Sequence, residues 1–235
     1  MHSSEPDHRT EDRQWNAVDR TMQRHDYRPE ALIETLHTAQ ERYGFLDFGT
    51  LGRIADRLGL APGETVLILG AGPVGLMMAL AVRAGGGVPF IVDPDAAKLD
   101  RSRMFRLKTG VEAAPSSDRD AFDLAVNATP ALSALVDGVS RIRSGGRFCL
   151  FSGLPAAEAI PAAWVNDLHY REIQVCGAYG CTRDQMQRAV SLLDAHREPA
   201  EWLIEDRISL GQVQDALTTI LTGRALKYVV EFGGC

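Results

Sequence analysis

The sequence lacks any block of lysines and arginines, and its 25 basic residues are outnumbered by 31 acidic ones, for a net charge of −6. This balance disfavours nucleic acid as a partner, because nucleic-acid-binding surfaces are basic. The first residues, MHSSEPDHRTEDR, also lack the apolar core that a secretory signal requires. We therefore expect a cytoplasmic protein that does not bind nucleic acid.

A long unbroken apolar run is also missing. The stretch from Thr65 to Val82 has no charge and approaches the length of a membrane span. However, Gly70, Gly72, Pro73 and Gly75 divide it into a β-branched half and a half rich in Leu, Met and Ala. This division is typical of a soluble strand, turn and helix, so we expect no membrane span.

Cysteine is scarce, with four residues in the chain. Cys176 and Cys181 have the C-x4-C spacing of some iron–sulfur proteins, but no second pair completes a site of four thiolates. A cytosolic chain of this length does not need disulfides either. We therefore expect Cys176 to end a buried strand, Cys181 to lie in the loop that follows, and neither to bind a cluster.

The composition changes near residue 61, which predicts a helical domain over 1–61 and a second domain over 62–235. In the first domain, apolar residues at helical spacing predict three helices. The first spans about Glu11 to His25, the second begins at Pro29 and ends at Gly44, and the third ends at Gly59. A unit this small has little hydrophobic core of its own. It should therefore pack on the rest of the chain or on a partner.

This first segment resembles the N-terminal helical region of the thioredoxin-like iron–sulfur subunit of respiratory complex I and of soluble NAD-linked hydrogenases and formate dehydrogenases. The match rests on Ala31-Leu32-Ile33-Glu34, Ala39-Gln40-Glu41, Tyr43-Gly44-Phe45-Leu46 and Ile54-Ala55-Asp56-Arg57-Leu58. In that family a fold with four cysteine ligands to a two-iron cluster follows, and it is missing here. The resemblance therefore implies docking on a flavin- or cluster-bearing subunit, without a cluster in this chain.

The second domain opens with a pattern that predicts dinucleotide binding. An apolar strand, Thr65 to Leu69, leads into Gly70-Ala-Gly-Pro-Val-Gly75, a helix and a second strand that ends at Asp93. Gly70 permits a tight turn, Gly72 lets the backbone approach a pyrophosphate, and Gly75 lets the helix pack close to the strand. Asp93 stands where a carboxylate accepts hydrogen bonds from the adenosine ribose and repels the extra phosphate of NADP. We therefore predict NAD as the cofactor.

The alternation of strands and helices continues to the end of the chain and predicts an α/β fold with a doubly wound parallel Rossmann sheet. The elements expected from composition are helices over 76–83, 131–142 and 182–195, and strands over 88–92, 122–126, 148–151, 173–176 and 227–232.

This domain also resembles the medium-chain dehydrogenase/reductase family, the relatives of zinc-type alcohol dehydrogenases. The resemblance rests on PGETVLILGAGPVGLMMALAVRAGG, SGGRFCLFSGLP, HYREIQVCGAYGCTRDQMQRAVSLL and the tail SLGQVQDALTTILTGRALKYVVEF. It implies that Gly70, Gly72, Pro73, Val74 and Gly75 hold the pyrophosphate, Asp93 and Lys98 hold the adenosine ribose, and Thr129 and Gly153 lie near the rest of the dinucleotide. Pro130 departs from the family, which usually has glycine there.

A larger departure is the missing N-terminal catalytic domain, which in the family supplies zinc ligands from a Cys and a Gly-His-Glu motif. No Gly-His-Glu occurs in this chain, and its six histidines are scattered. Because a catalytic zinc site needs three converging ligands, we expect no metal. No residue stands out as a general acid, base or nucleophile.

Three functions are compatible with these patterns. The first is an NAD(H)-binding accessory subunit that docks on flavin- and iron–sulfur-bearing subunits of a soluble hydrogenase, a formate dehydrogenase or a complex-I-like diaphorase. The expected contact is the helix with Leu32, Leu36 and Tyr43, together with Phe45 and Leu46, and self-association is the rival. The second function is a zinc-independent oxidoreductase acting on a small substrate. The third is a structural Rossmann module without a ligand.

Overall fold

The computed structural model describes Arg24, residues 59–155 and residues 159–232. The strands are β1 Thr65–Leu69, β2 Val88–Val92, β3 Glu112–Ala114, β4 Phe122–Asn127, β5 Ile142–Leu150, β6 Gln174–Gly177, β7 Ile204–Ile208 and β8 Lys227–Val230. The helices are α1 Pro73–Ala84, α2 Ala96–Arg101, α3 Arg103–Thr109, α4 Leu132–Ser140, α5 Ala162–Tyr170, α6 Arg183–Ala195, α7 Arg197–Glu201 and α8 Val213–Leu221.

Six strands form a parallel sheet in the order β3-β2-β1-β4-β5-β6. This is the strand order of a doubly wound Rossmann sheet, so the predicted fold class is confirmed. The order reverses at β1, whose last residue Leu69 pairs with Val92 on one side and with Asn127 on the other. Because all six strands point the same way, their carboxyl ends meet at one edge, next to this reversal.

The core lies on both faces of the sheet, and β1 contributes to each. Val66 and Ile68 pack into one cluster with Leu76 of α1, whereas Leu67 and Leu69 pack into a second cluster beneath α4. Successive side chains of a strand point to opposite faces, so a central strand covered by helices on both sides must be apolar throughout. That requirement explains the uninterrupted run Val-Leu-Ile-Leu in β1.

Several boundaries differ from those that the sequence indicates. Helix α1 begins at Pro73 rather than at Leu76, because a proline fits the first helical turn, where its missing N–H is not needed. Strand β5 begins at Ile142 rather than at Phe148 and includes the predicted turn, at the cost of a register shift against β4. The sequence patterns did not predict the strands β3 and β7 or the helices α2, α3, α5, α7 and α8.

The tail forms a separate two-stranded parallel sheet from β7 and β8, with α8 between the strands in the chain. The strand expected over 227–232 is shorter and ends at Val230. Within residues 59–155 and 159–232, no helix is both long and apolar enough to cross a membrane. Apart from Arg24, the three predicted N-terminal helices lie outside the described residues, so the domain boundary near residue 61 stays a prediction.

Polar side chains connect three strands at the opposite, amino edge of the sheet. Asp123 of β4 accepts hydrogen bonds from the backbone N–H and the hydroxyl of Thr65, at 2.8 and 2.9 Å, and from Nε of Arg143 at 2.7 Å. The hydrogen bond from Arg143, followed by that from the Thr65 amide, lowers the pKa of Asp123 to about 2. The charged carboxylate therefore links β1, β4 and β5.

The variant Asp123→Asn should lower the free energy of unfolding by roughly 1–2 kcal/mol at pH 7, because a charged acceptor of three hydrogen bonds is lost. The folded pKa lies below the unfolded one, so this contribution is complete above pH 4 and disappears as the pH falls towards 2. Urea unfolding at pH 7 and at pH 2.5 measures both values. Asp194→Asn, which removes only an exposed pair with Arg197, should change stability by less than about 0.5 kcal/mol. An equal loss for Asp123→Asn at both pH values would contradict this account.

Candidate functional site

The turn between β1 and α1 is built around two close backbone approaches. Gly70 has φ +119°, a conformation that side chains other than glycine rarely adopt, and its N–H donates to the Val92 carbonyl at 2.8 Å. A Cβ on Gly75 would lie 1.9 Å from the Gly70 carbonyl oxygen. The first turn of α1 therefore touches the end of β1 at a distance that only glycine allows, as the sequence predicted.

Gly72 differs from its two neighbours because the space beside it is open. Apart from Gly72 and its two chain neighbours, no atom of the described residues lies within 4 Å of the position that a Cβ on Gly72 would take. Gly72 is also the N-cap of α1, Pro73 has no N–H, and no described side chain caps the helix. The amides of the first turn, including those of Val74 and Gly75, lack acceptors within the helix. This open cradle at the positive end of a helix dipole suits an anion.

Asp93 follows β2 and is almost completely buried, with 5% of its surface exposed. Its Oδ2 accepts a hydrogen bond from the Ala71 amide at 2.8 Å, and its Oδ1 accepts one from the Asp95 amide at 2.9 Å. The carboxylate therefore holds the glycine turn of β1 against the end of β2. Each carboxylate oxygen has a second lone pair, so both can accept a further hydrogen bond.

Lys98 is placed near Asp93 by the start of α2. Asp95 caps this helix, its Oδ1 accepting from the Ala97 amide at 2.9 Å and from the Lys98 amide at 3.3 Å. One turn along, Nζ of Lys98 lies 3.9 Å from Oδ2 of Asp93. The structure thus brings together the two residues that the resemblance assigns to the adenosine ribose.

Asn127 is a site-organising residue that the sequence analysis did not identify. It ends β4 and is completely buried. Its Nδ2 donates to the carbonyls of Thr129 and Ser152, at 3.3 and 2.9 Å, and its Oδ1 accepts from the Phe151 amide at 2.7 Å. One side chain therefore links the loops after β4 and β5, which carry Thr129 and Gly153. The sequence offered one signal for this residue, an amide side chain directly at the end of an apolar strand.

All the predicted site residues follow the carboxyl ends of four adjacent strands. Gly70 to Gly75 follow β1, Asp93 and Lys98 follow β2, Thr129 follows β4, and Gly153 follows β5. Ligands of open α/β sheets bind at this edge, where the strand order reverses. Which of these residues contact a ligand stays a prediction.

The cysteines and histidines form no evident metal centre in the part of the chain that the structure describes. No group of three His, Cys, Asp or Glu residues there is arranged to hold a metal ion. Cys176 lies near the end of β6, half-buried, and Cys181 follows in the loop before α6, as predicted. The strand itself is largely exposed rather than buried, because β6 is the last strand of the sheet. His169 lies at the end of α5 against the ring of Tyr170. The expectation that no metal binds stays a prediction.

Comparison with known proteins finds dehydrogenases. Sorbitol dehydrogenase of Bacillus subtilis is 28% identical over 177 residues, which cover 71% of this chain and 49% of that protein. L-threonine 3-dehydrogenase of Streptomyces coelicolor is 30% identical over 180 residues, which cover 72% of this chain and 52% of that protein. The chain therefore spans about half the length of these relatives. No protein-family model matches it.

Solved structures share the fold at lower sequence identity. An alcohol dehydrogenase of Thermotoga maritima has a TM-score of 0.69 at 20% identity and covers 77% of this chain and 54% of its own. L-idonate 5-dehydrogenase of Escherichia coli has a TM-score of 0.66 at 20% identity and covers 79% of this chain and 55% of its own. The second domain is thus a Rossmann domain like that of medium-chain, zinc-type alcohol dehydrogenases, as its sequence indicated. The resemblance of the first domain falls on residues outside the described ones.

Two further structures carry nicotinamide cofactors. An alcohol dehydrogenase of E. coli, with a TM-score of 0.66 at 17% identity over 79% of this chain and 57% of its own, was solved with NADH. A protein of Sinorhizobium meliloti described as a zinc-binding dehydrogenase, with a TM-score of 0.66 at 20% identity over 83% of this chain and 58% of its own, was solved with NADP. Both forms of the cofactor therefore occur on this fold.

The variant Gly75→Ala should destabilise the protein by about 1–3 kcal/mol, because its Cβ cannot fit beside the Gly70 carbonyl without moving α1. Gly72→Ala, whose Cβ enters open space, should cost less than about 1 kcal/mol. Urea unfolding of the two variants and the parent protein measures the difference. Equal stabilities for the two variants would show that α1 does not pack as closely on β1 as the structure indicates.

Proposed function

We propose that the Rossmann domain binds a nicotinamide dinucleotide and prefers NAD(H) to NADP(H). The observation that carries the proposal is the Asp93 carboxylate, held beside the glycine turn by the Ala71 amide. A dinucleotide that follows the turn would place its adenosine ribose at this carboxylate. A buried acceptor with spare lone pairs suits the two ribose hydroxyls.

The geometry of the turn fits the remaining parts of such a cofactor. The space beside Gly72 and the uncapped amides at the start of α1 would receive the pyrophosphate, with Gly70, Pro73, Val74 and Gly75 shaping the turn. The loops that Asn127 joins would lie along the nicotinamide half. When bound, the nicotinamide exchanges a hydride with a substrate or a redox partner, which makes oxidoreductase the proposed class of activity.

The preference for NAD(H) follows from charge. In NADP the ribose carries a phosphate that would lie against the Asp93 carboxylate, and two like charges in a buried place repel strongly. Lys98 offsets part of this repulsion, but its side chain is 38% exposed and its Nζ lies 3.9 Å from the carboxylate oxygen, so the offset is screened by water. The fold itself does not decide the question, since relatives in structure bind either form.

We further propose that the chain works as an accessory subunit docked on flavin- and iron–sulfur-bearing subunits of an NAD-linked oxidoreductase. The sequence resemblance of residues 31–58 supports this role. Apolar side chains exposed in the tail of the Rossmann domain support it as well: Trp202, Leu210 and Leu217 are 44%, 66% and 52% exposed. Apolar surface of this kind often belongs to interfaces.

A second candidate is a dehydrogenase of a small polar alcohol. It is favoured by the relatives, which include dehydrogenases of sorbitol and L-threonine. The two candidates differ in whether the chain acts alone.

Calorimetric titration of the full chain should show NADH binding at least tenfold more tightly than NADPH, a difference of about 1.4 kcal/mol. Asp93→Asn keeps an oxygen for the Ala71 amide but removes the charge, so it should weaken NADH binding and narrow the ratio of the two affinities. A purely structural role for Asp93 would weaken both nucleotides equally.

Gly72→Ala is the matched control for this titration. It should lower the affinity for both nucleotides by about tenfold or more, through contact with the pyrophosphate, while the ratio of the two affinities stays unchanged. Tighter binding of NADPH than of NADH, or no binding of either, would overturn the cofactor proposal.

Purification of the tagged full chain from its native host should yield a complex that contains flavin and iron. Absorbance spectra and metal analysis identify both groups, and light scattering on the isolated chain tests self-association. A monomer that retains no such subunit at physiological salt would contradict the accessory role. A chain that reduces NAD⁺ alone in the presence of sorbitol or L-threonine would favour the second candidate.

A further inference from the structure

Two cysteines that are not among the candidate dinucleotide contacts lie side by side on the last two strands of the sheet. Cys149 of β5 and Cys176 of β6 are register partners on neighbouring parallel strands. Both pack into the same apolar cluster, so their side chains point to the same face. Cys149 is completely buried, Cys176 is partly exposed, and both are thiols.

The two thiols interact directly. The hydrogen bond with Cys176, then burial, then the charge of a Cys176 thiolate raise the pKa of Cys149 well above its usual range. Cys149 therefore stays protonated, which its complete burial also favours. The partly exposed Cys176 is the member of the pair that a dissolved oxidant reaches first, and oxidants of this kind react with the thiolate.

The distance between the Cα atoms of neighbouring strands permits a disulfide. Neighbouring strands lie about 4.7–4.9 Å apart, within the range of about 4.4–6.8 Å found between the Cα atoms of disulfide-bonded cysteines. We propose that Cys149 and Cys176 form a redox pair that hydrogen peroxide converts into a disulfide between β5 and β6.

The reaction balances in two steps. The Cys176 thiolate attacks one peroxide oxygen, and the O–O bond breaks. Cys176 becomes a sulfenic acid, and the leaving hydroxide takes up one proton to form water. The Cys149 sulfur then attacks the sulfenic sulfur, the S–O bond breaks, and the proton of Cys149 leaves with the hydroxyl as a second water. The two thiols lose two electrons, and one peroxide is reduced to two waters.

The disulfide would lie at the carboxyl edge of the sheet. Directly after Cys149, the Leu150 carbonyl accepts from the Ala178 amide at 3.0 Å, and the Phe151 amide donates to Asn127. Side-by-side positions on parallel strands hold Cβ atoms roughly a strand spacing apart, farther than the mean of about 3.8 Å in disulfides. The bond would therefore be strained and easily reduced, which makes the link reversible.

Peptide mapping of the full chain tests the proposal. After treatment of the reduced, folded protein with hydrogen peroxide, the four thiols should fall to two, and the peptides that carry Cys149 and Cys176 should be joined. Dithiothreitol should restore all four. A link that includes Cys181 or Cys235, a sulfinic acid on Cys176 without a link, or no loss of thiols would overturn the proposal.

Three variants make the test specific. Cys181→Ser, next along the chain, should form the same link at the same rate as the parent protein. Cys176→Ser should lose the link, and Cys149→Ala should leave a sulfenic acid on Cys176 that a dimedone probe captures. Circular dichroism checks folding. Because the mapping of the unmodified chain needs no variant, the link is tested even where the buried Cys149→Ala fails to fold. None of these readouts depends on nucleotide binding.

Discussion

The hydrogen bond from the Ala71 amide to the Asp93 carboxylate is the contact on which the candidate site depends. It joins the loops that follow two neighbouring strands, so the glycine turn and the acidic residue cannot move independently. Two glycines make the contact possible, since Gly70 lets the chain turn and Gly75 lets α1 begin beside it. A carboxylate fixed in this way is already oriented before a ligand arrives, which limits the entropy lost on binding.

The two edges of the sheet use polar side chains differently. At the amino edge, Asp123 pairs with Arg143, and Glu64 pairs with Arg147. These ion pairs connect β4 and the residue before β1 to β5. At the carboxyl edge, Asp93 and Asn127 accept and donate mainly to backbone groups of loops. Ion pairs between side chains therefore stabilise the amino edge, and hydrogen bonds to loop backbone shape the carboxyl edge, where the candidate site lies.

The sequence predicted the parts of the fold that depend on local patterns. The apolar run of β1, the glycine turn and the strand ending at Asp93 all follow from residues within about thirty positions. Contacts that depend on how loops meet in three dimensions were beyond it, as with Asn127, whose amide joins the loops after β4 and β5. Strand β7 was missed because charged residues occupy its middle, so it does not form an apolar run. Residues 1–58, apart from Arg24, were predicted from sequence alone.

The reversal of strand order at β1 has a consequence for how the domain folds. Thr65 pairs with Val88 on one side, a separation of 23 residues, whereas Val66 pairs with Leu124 on the other, a separation of 58. Closing the longer loop costs about 1 kcal/mol more in chain entropy. The unit β1-α1-β2, which contains the glycine turn and Asp93, can therefore assemble from local contacts. The half organised by Asn127 must wait for β4 to dock, so the glycine turn and Asp93 would be in place before the loops that carry Thr129 and Gly153.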